Sequence, residues 1–244
     1  MATSDTILCI HHYFTGGWVW HPMASFLSRQ GYTLRVPDLP GHHRAQGLKP
    51  EADLEQLSLG LWRRLELAPQ QRVHLLGHGF GGLVAQILAQ QFPDRVQSLT
   101  LAHSISHTNH TGIFGRKLKG SKPPPSIGKL SKAMQQQCNY PQWAKRIGQS
   151  VAHFNNDLET YKHYWQLQQN FDSRPWLDQL QMPCLLINTG KQGSTLAEQF
   201  KDAEQQWLQG AGFWFMLEAP EAASLCLATF LNNLWQRDLH PPQS

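Results

Sequence analysis

Leu75-Leu76-Gly77-His78-Gly79-Phe80-Gly81-Gly82 decides how this chain is read. An apolar run from Val73 leads into four glycines within six residues, and the stretch Leu83-Val84-Ala85-Gln86-Ile87-Leu88-Ala89 then has the composition of a buried helix. Closely spaced glycines permit a turn too tight for side chains. A strand that turns this sharply into a helix displays the side chain at the middle of the turn. The middle residue is Gly79, which displays neither oxygen nor sulfur, so no covalent intermediate can begin there.

Outward from this turn, apolar runs alternate with helical patterns. Strands are expected at Thr6–His11, Tyr32–Val36, Val73–Gly77, Val96–Ala102, Cys184–Asn188 and a short Gln205–Leu208. Helices are expected at Trp20–Arg29, Leu54–Leu65, Phe80–Gln91, Thr195–Asp202 and Glu221–Gln236. Strands separated by helices predict an α/β fold whose mostly parallel sheet carries helices on both faces. At 244 residues the chain is long enough for one domain with an insertion.

Further stretches carry a resemblance that no single motif supports alone. Ile7-Leu8-Cys9-Ile10-His11 precedes Gly16-Gly17-Trp18, Val36-Pro37-Asp38-Leu39-Pro40-Gly41-His42 has a D-x-x-G-H layout, and Phe92-Pro93-Asp94-Arg95-Val96 leads into a strand. Met182-Pro183-Cys184 opens the strand ending at Gly190; Gly210-Ala211-Gly212-Phe213 and Leu217-Glu218-Ala219-Pro220-Glu221 follow. In order and spacing the chain resembles the α/β-hydrolase fold superfamily from end to end. The resemblance places the nucleophile at Gly79, the acid at Gly193 and the base at Phe213, and none of these can serve. An alternative place for the acid, near Ala102-His103-Ser104, also lacks a carboxylate. A triad needs a nucleophile, a base and an orienting acid together, so the resemblance implies a member without serine-hydrolase chemistry.

The same resemblance makes residues 1–103 and 179–244 the hydrolase-like core and 104–178 a cap over the pocket. It assigns oxyanion donors to the amides of Tyr13 and Phe80, beside the amino end of a helix that favours negative charge. Phe14, Trp18, His103 and Trp214 are expected to complete a ligand cradle. Two histidines, His12 and His43, stand where the family keeps glycine. Imidazole titrates near neutrality, and His78 and His12 are therefore the candidate acid–base pair if the site catalyses at all.

Charge separates the cap from the rest. Residues 103–156 contain no Asp or Glu but eight Lys and Arg, among them Lys117, Lys119 and Lys122, while the whole chain has 21 basic and 17 acidic residues. A basic face attracts anionic partners; with the family resemblance this points to an acidic carrier protein, or to a small acyl or carboxylate-bearing ligand. No nucleic-acid-binding module accompanies the charge. Four dispersed cysteines read as buried thiols, and no metal or cofactor is called for. The beginning lacks signal-peptide regions and no apolar run approaches the ~18 residues of a membrane span, so a cytoplasmic location is expected.

Three functions remain open: a catalytically silent binding protein, a lyase, isomerase or cyclase using the histidines and oxyanion donors, and a hydrolase with a displaced triad drawing on Ser104, Ser106 and nearby histidines. Fold alone does not choose between them.

Overall fold

The computed structural model describes residues 5–108, 125–189, 195–200 and 202–239. Six strands, β1 (Asp5–Ile10), β2 (Tyr32–Arg35), β3 (Val73–His78), β4 (Val96–Ala102), β5 (Cys184–Thr189) and β6 (Glu204–Leu208), form one sheet of order β2-β1-β3-β4-β5-β6. Every pairing is parallel. The central strands are apolar along nearly their full length because both faces are covered; β3 is buried at every position.

The helices are α1 (His21–Arg29), α2 (Leu54–Arg64), α3 (Phe80–Gln91), α4 (Ile127–Gln136), α5 (Pro141–Ala152), α6 (Leu158–Gln169), α7 (Phe215–Glu218) and α8 (Pro220–Leu239). In the core, α1 packs on α8 and α2 on α3. Asp53 caps α2 by accepting from the Gln56 amide at 2.7 Å, and Asp157 caps α6 through the Thr160 amide at 3.0 Å. Among the described residues no helix is long and apolar enough to cross a membrane.

The segment between β4 and β5 supplies α4, α5 and α6. Ile127, Leu130 and Met134 on α4, and Ile147 and Val151 on α5, are buried at helical spacing, which makes each helix amphipathic. The two ends of the segment lie side by side through an antiparallel bridge between His107 and Asp172. Gln86 of α3 fastens them to the core, donating to Ser104 Oγ at 3.3 Å and Ile105 O at 3.0 Å and accepting from Ser173 Oγ at 2.8 Å.

Two local expectations change. The helix expected over Thr195–Asp202 is one 3-10 turn, Thr195–Glu198, after which the Phe200 amide closes on Leu196 O. The helix expected from Trp20 opens instead as a 3-10 turn, Gly17–Trp20, before α1. Gly17 packs closely on the Val36 carbonyl, where a Cβ would overlap backbone, so the turn requires glycine there. Cys9 and Cys184 are buried while Cys138 and Cys226 are only partly so; all four are free thiols.

Candidate functional site at the end of β3

Strand order reverses direction between β1 and β3: β2 lies beyond β1 on one side, and all later strands lie beyond β3 on the other. In open α/β sheets the crevice at such a switch point, beyond the carboxyl ends of the strands, is where ligands bind. The loop after β1 and the turn after β3 meet there.

Gly79 forms that turn with φ 54° and ψ −118°, a left-handed backbone that only glycine adopts without strain. Its amide donates to Ala102 O at 2.9 Å and its carbonyl accepts from Gly82 at 3.0 Å. Gly81 lies against the Ile10 carbonyl, where a Cβ would overlap backbone, so the close approach of α3 to β1 requires glycine. The turn thus has the sharp strand-to-helix shape expected of it, with a glycine at its centre.

The space beside Gly79 is taken by His12. A Cβ placed on Gly79 would collide with His12 Nδ1 and stand 3.0 Å from Cγ. The same Nδ1 accepts a 3.0 Å hydrogen bond from the Phe80 amide, the expected oxyanion donor. Because Nδ1 accepts, the proton of the neutral ring sits on Nε2, which is buried and has no hydrogen-bond partner among the described residues. Burial, reinforced by His11 and His103, holds the His12 pKa down at about 3.

His78, His12 and His103 surround Phe213. Ring centroids lie 4.5 Å from His78, 5.3 Å from His12 and 4.9 Å from His103 to the Phe213 ring. His103, at φ 50°, pairs its Nε2 with Thr189 Oγ1 at 3.0 Å, and burial lowers its pKa to about 4. His78 is fully enclosed, and burial, reinforced by His103 and His12, pushes its pKa well down against a partly compensating interaction with the Phe213 backbone. The Tyr13 hydroxyl and the Trp20 indole N–H are buried with no hydrogen-bond partner among the described residues. Phe213 thus fills the expected base position with an apolar ring wedged among neutral imidazoles.

His11 and His42 have structural work. His11 Nε2 accepts from Leu39 N at 3.0 Å while its Nδ1 meets His12 O at 2.8 Å; His42 Nε2 accepts from Phe14 N at 2.8 Å while its Nδ1 meets Pro40 O at 2.9 Å. Each neutral ring bridges two loops. Burial lowers both pKa values, to about 4 and about 3.

The aromatic residues of the expected cradle pack against one another. Tyr13, Phe14, Phe80 and Trp214 are buried, with Phe14 against Phe154 and Tyr161 of the inserted segment and Phe80 against Tyr164. Aromatic side chains expected to line a cavity meet one another across it, because α6 and the turn before it press directly on the β1 loop. Of the residues expected to contact ligand, Trp18 alone borders one of the two prominent cavities, a cleft of about 460 Å³ away from the turn. The larger cavity, about 980 Å³, opens at the amino ends of β5 and β6, the opposite end of the sheet from Gly79. Gly193 and the lysines Lys117, Lys119 and Lys122 lie outside the described residues.

Sequence reasoning missed three contributors. Glu218, read only as part of a motif, accepts from the Asn139 amide at 2.7 Å and from the Gly212 amide, tying the inserted segment to the loop that carries Phe213. Asp38 accepts from Gly17 N at 2.6 Å and Arg44 Nε at 2.9 Å. Burial opposes its charge, but those donors together hold its pKa below the usual value. Arg146, counted only as a charge, lies 4.1 Å over the Trp18 ring.

A family profile described as alpha/beta hydrolase fold matches residues 5–220. A pimeloyl-[acyl-carrier protein] methyl ester esterase of Aeromonas salmonicida is 37% identical over 119 residues, covering 47% of this chain and 45% of that protein. Methylesterase 1 of Arabidopsis thaliana is 28% identical over 119 residues, again 47% of this chain and 45% of that protein. An uncharacterized Mycobacterium tuberculosis protein is 34% identical over 117 residues, 47% of this chain and 33% of its own. The matched stretch therefore spans less than half of each relative. A thermophilic esterase from Thermogutta terrifontis superposes with a TM-score of 0.74 at 18% identity, covering 95% of this chain and 91% of that one; at that identity the likeness is one of fold.

Proposed function

The chain belongs to the α/β-hydrolase fold family, and on that premise we propose that it is a triad-free member that binds a small molecule or protein instead of hydrolysing an ester. The observation that carries this reading is His12: its ring occupies the place of a nucleophile's side chain and consumes the Phe80 amide that would stabilise an oxyanion. A deleted serine alone would leave a vacant site. Here the vacancy is filled, and Phe213 fills the base position as well. The acid–base alternative is weakened by the same geometry. A base with a pKa of about 3 is poorly matched to proton transfer near neutrality, and His12 and His78 are enclosed.

The esterase names of relatives belong to those proteins, but one of them includes an acyl-carrier protein. That supports an acidic carrier as the partner for the basic segment containing Lys117, Lys119 and Lys122. A displaced hydrolase has one specific observation in its favour, a 2.9 Å contact between Ser106 Oγ and His107 Nδ1. Against it, Ser106 is buried, and the nearby Asp172 carboxylate is engaged by Arg174 at 2.6 and 2.9 Å.

Incubation with a fluorophosphonate probe, read by intact mass, tests the reading. The expected result is no adduct and no turnover of short p-nitrophenyl esters. Stoichiometric labelling would overturn it, and labelling abolished by Ser106→Ala would establish the displaced site. Native mass spectra of the same preparation report any bound ligand or added acidic carrier protein.

A further inference from the structure

The cleft beside Trp18 has walls from two parts of the fold. Its core wall is the turn carrying His43 and Arg44; its other wall is the end of α5 and the turn after it, carrying Arg146, Ser150 and His153. No carboxylate lines it. Asp38 lies behind the core wall, 2% exposed, and offsets one charge by holding Arg44 Nε. Arg146 forms no ion pair among the described residues, and its guanidinium carbon lies over the Trp18 ring, 4.1 Å from the centroid. His43 sits at φ 40°, a left-handed conformation uncommon outside glycine, and its Nδ1 lies 3.4 Å from Asp38 Oδ2.

We propose that this cleft binds a phosphate-bearing small molecule, with its oxyanion gripped by Arg44 from the core and Arg146 from the inserted segment. Guanidinium groups present several N–H donors in a fixed plane, which suits a tetrahedral multi-oxygen anion approached from two sides. Stacking on Trp18 fixes Arg146 before the ligand arrives, so little side-chain freedom is lost on binding. A volume of about 460 Å³ is within the range of small-molecule sites. The proposal extends the binding reading but does not depend on the state of Gly79, since none of the turn's residues lines the cleft.

Inorganic pyrophosphate is the probe, titrated calorimetrically into the full chain at low salt. Saturable binding of one equivalent is expected, weakened about tenfold or more by Arg146→Gln, as befits a lost charge-assisted hydrogen bond. Arg146→Lys should retain part of the affinity, and Lys145→Gln, whose side chain does not line the cleft, should retain all of it. Unchanged melting temperatures would show that the variants remain folded. Absence of saturable heat at millimolar pyrophosphate, equal losses in Arg146→Gln and Lys145→Gln, or equal affinity for citrate would overturn the assignment. Each of those outcomes would leave a negative fluorophosphonate result standing.

Discussion

A single imidazole occupies the space that a serine placed at Gly79 would need. The position is left-handed, and its would-be Cβ meets His12 Nδ1, a ring held by the Phe80 amide and packed 4.2 Å from Tyr13. Gly79→Ser should therefore destabilise the protein by about 1–3 kcal/mol, combining backbone strain with overlap. In a His12→Gly background, which opens that space, the same substitution should cost about 1–2 kcal/mol less, because contacting residues are not additive. A double-mutant cycle by urea unfolding measures the difference. Strict additivity would mean that His12 does not occupy the nucleophile's space, and the argument for a plugged site would fall with it.

At the scale of elements, the strands were legible because buried parallel strands are continuous apolar runs. β4 begins and ends where expected, β1 is shifted by one residue at both ends, and each of the others differs by one residue at one end only. Thr195–Asp202 was not legible, since a short mixed-polarity stretch has too few residues to nucleate a helix without tertiary support. Gly79 was legible as the turn between a strand and a helix, but the ring that lies beside it was not. His12 reaches Gly79 only because β1 and β3 are sheet neighbours, His12 and Phe80 being 68 positions apart in the chain. Glu218 escaped notice for the same reason. It joins α7 to the turn between α4 and α5 and to Gly212, while Trp214 Nε1 donates to Met134 O at 3.0 Å nearby. Removing that carboxylate leaves two backbone N–H groups unmatched, so Glu218→Ala should cost about 2–4 kcal/mol. Glu218→Gln keeps one acceptor and should cost less. Hydrogen exchange should speed up first around Asn139 and Gly212; a loss under about 0.5 kcal/mol with unchanged exchange would show that the inserted segment docks without this tie.

Across the whole molecule, six histidines share one electrostatic condition: folding buries them neutral. Burial lowers His11 to about 4, His12 to about 3, His42 to about 3, His74 to about 4 and His103 to about 4, and pushes His78 well down. Each has a folded pKa below its unfolded value near 6.5, so the stability it contributes is present above pH 6.5 and declines as pH falls toward the folded value. At pH 5 an unfolded histidine is almost fully protonated while the buried one is not, a difference on the order of 2 kcal/mol per group. Even part of that, multiplied over six sites, is comparable to the roughly 5–15 kcal/mol that stabilises a folded domain. Asp38, whose pKa is also held low, loses its contribution only below the ordinary carboxylate range. The protein should therefore unfold cooperatively with acid well before its carboxylates titrate, with a midpoint around pH 5, and be indifferent to pH above about 7. Urea titrations at pH 7.5, 6 and 5 measure this directly. A stability that changes by less than about 1 kcal/mol between pH 7.5 and 5 would mean that protons reach these rings in the folded state. The three around Phe213 would then line an accessible site, and acid–base chemistry there would again be open.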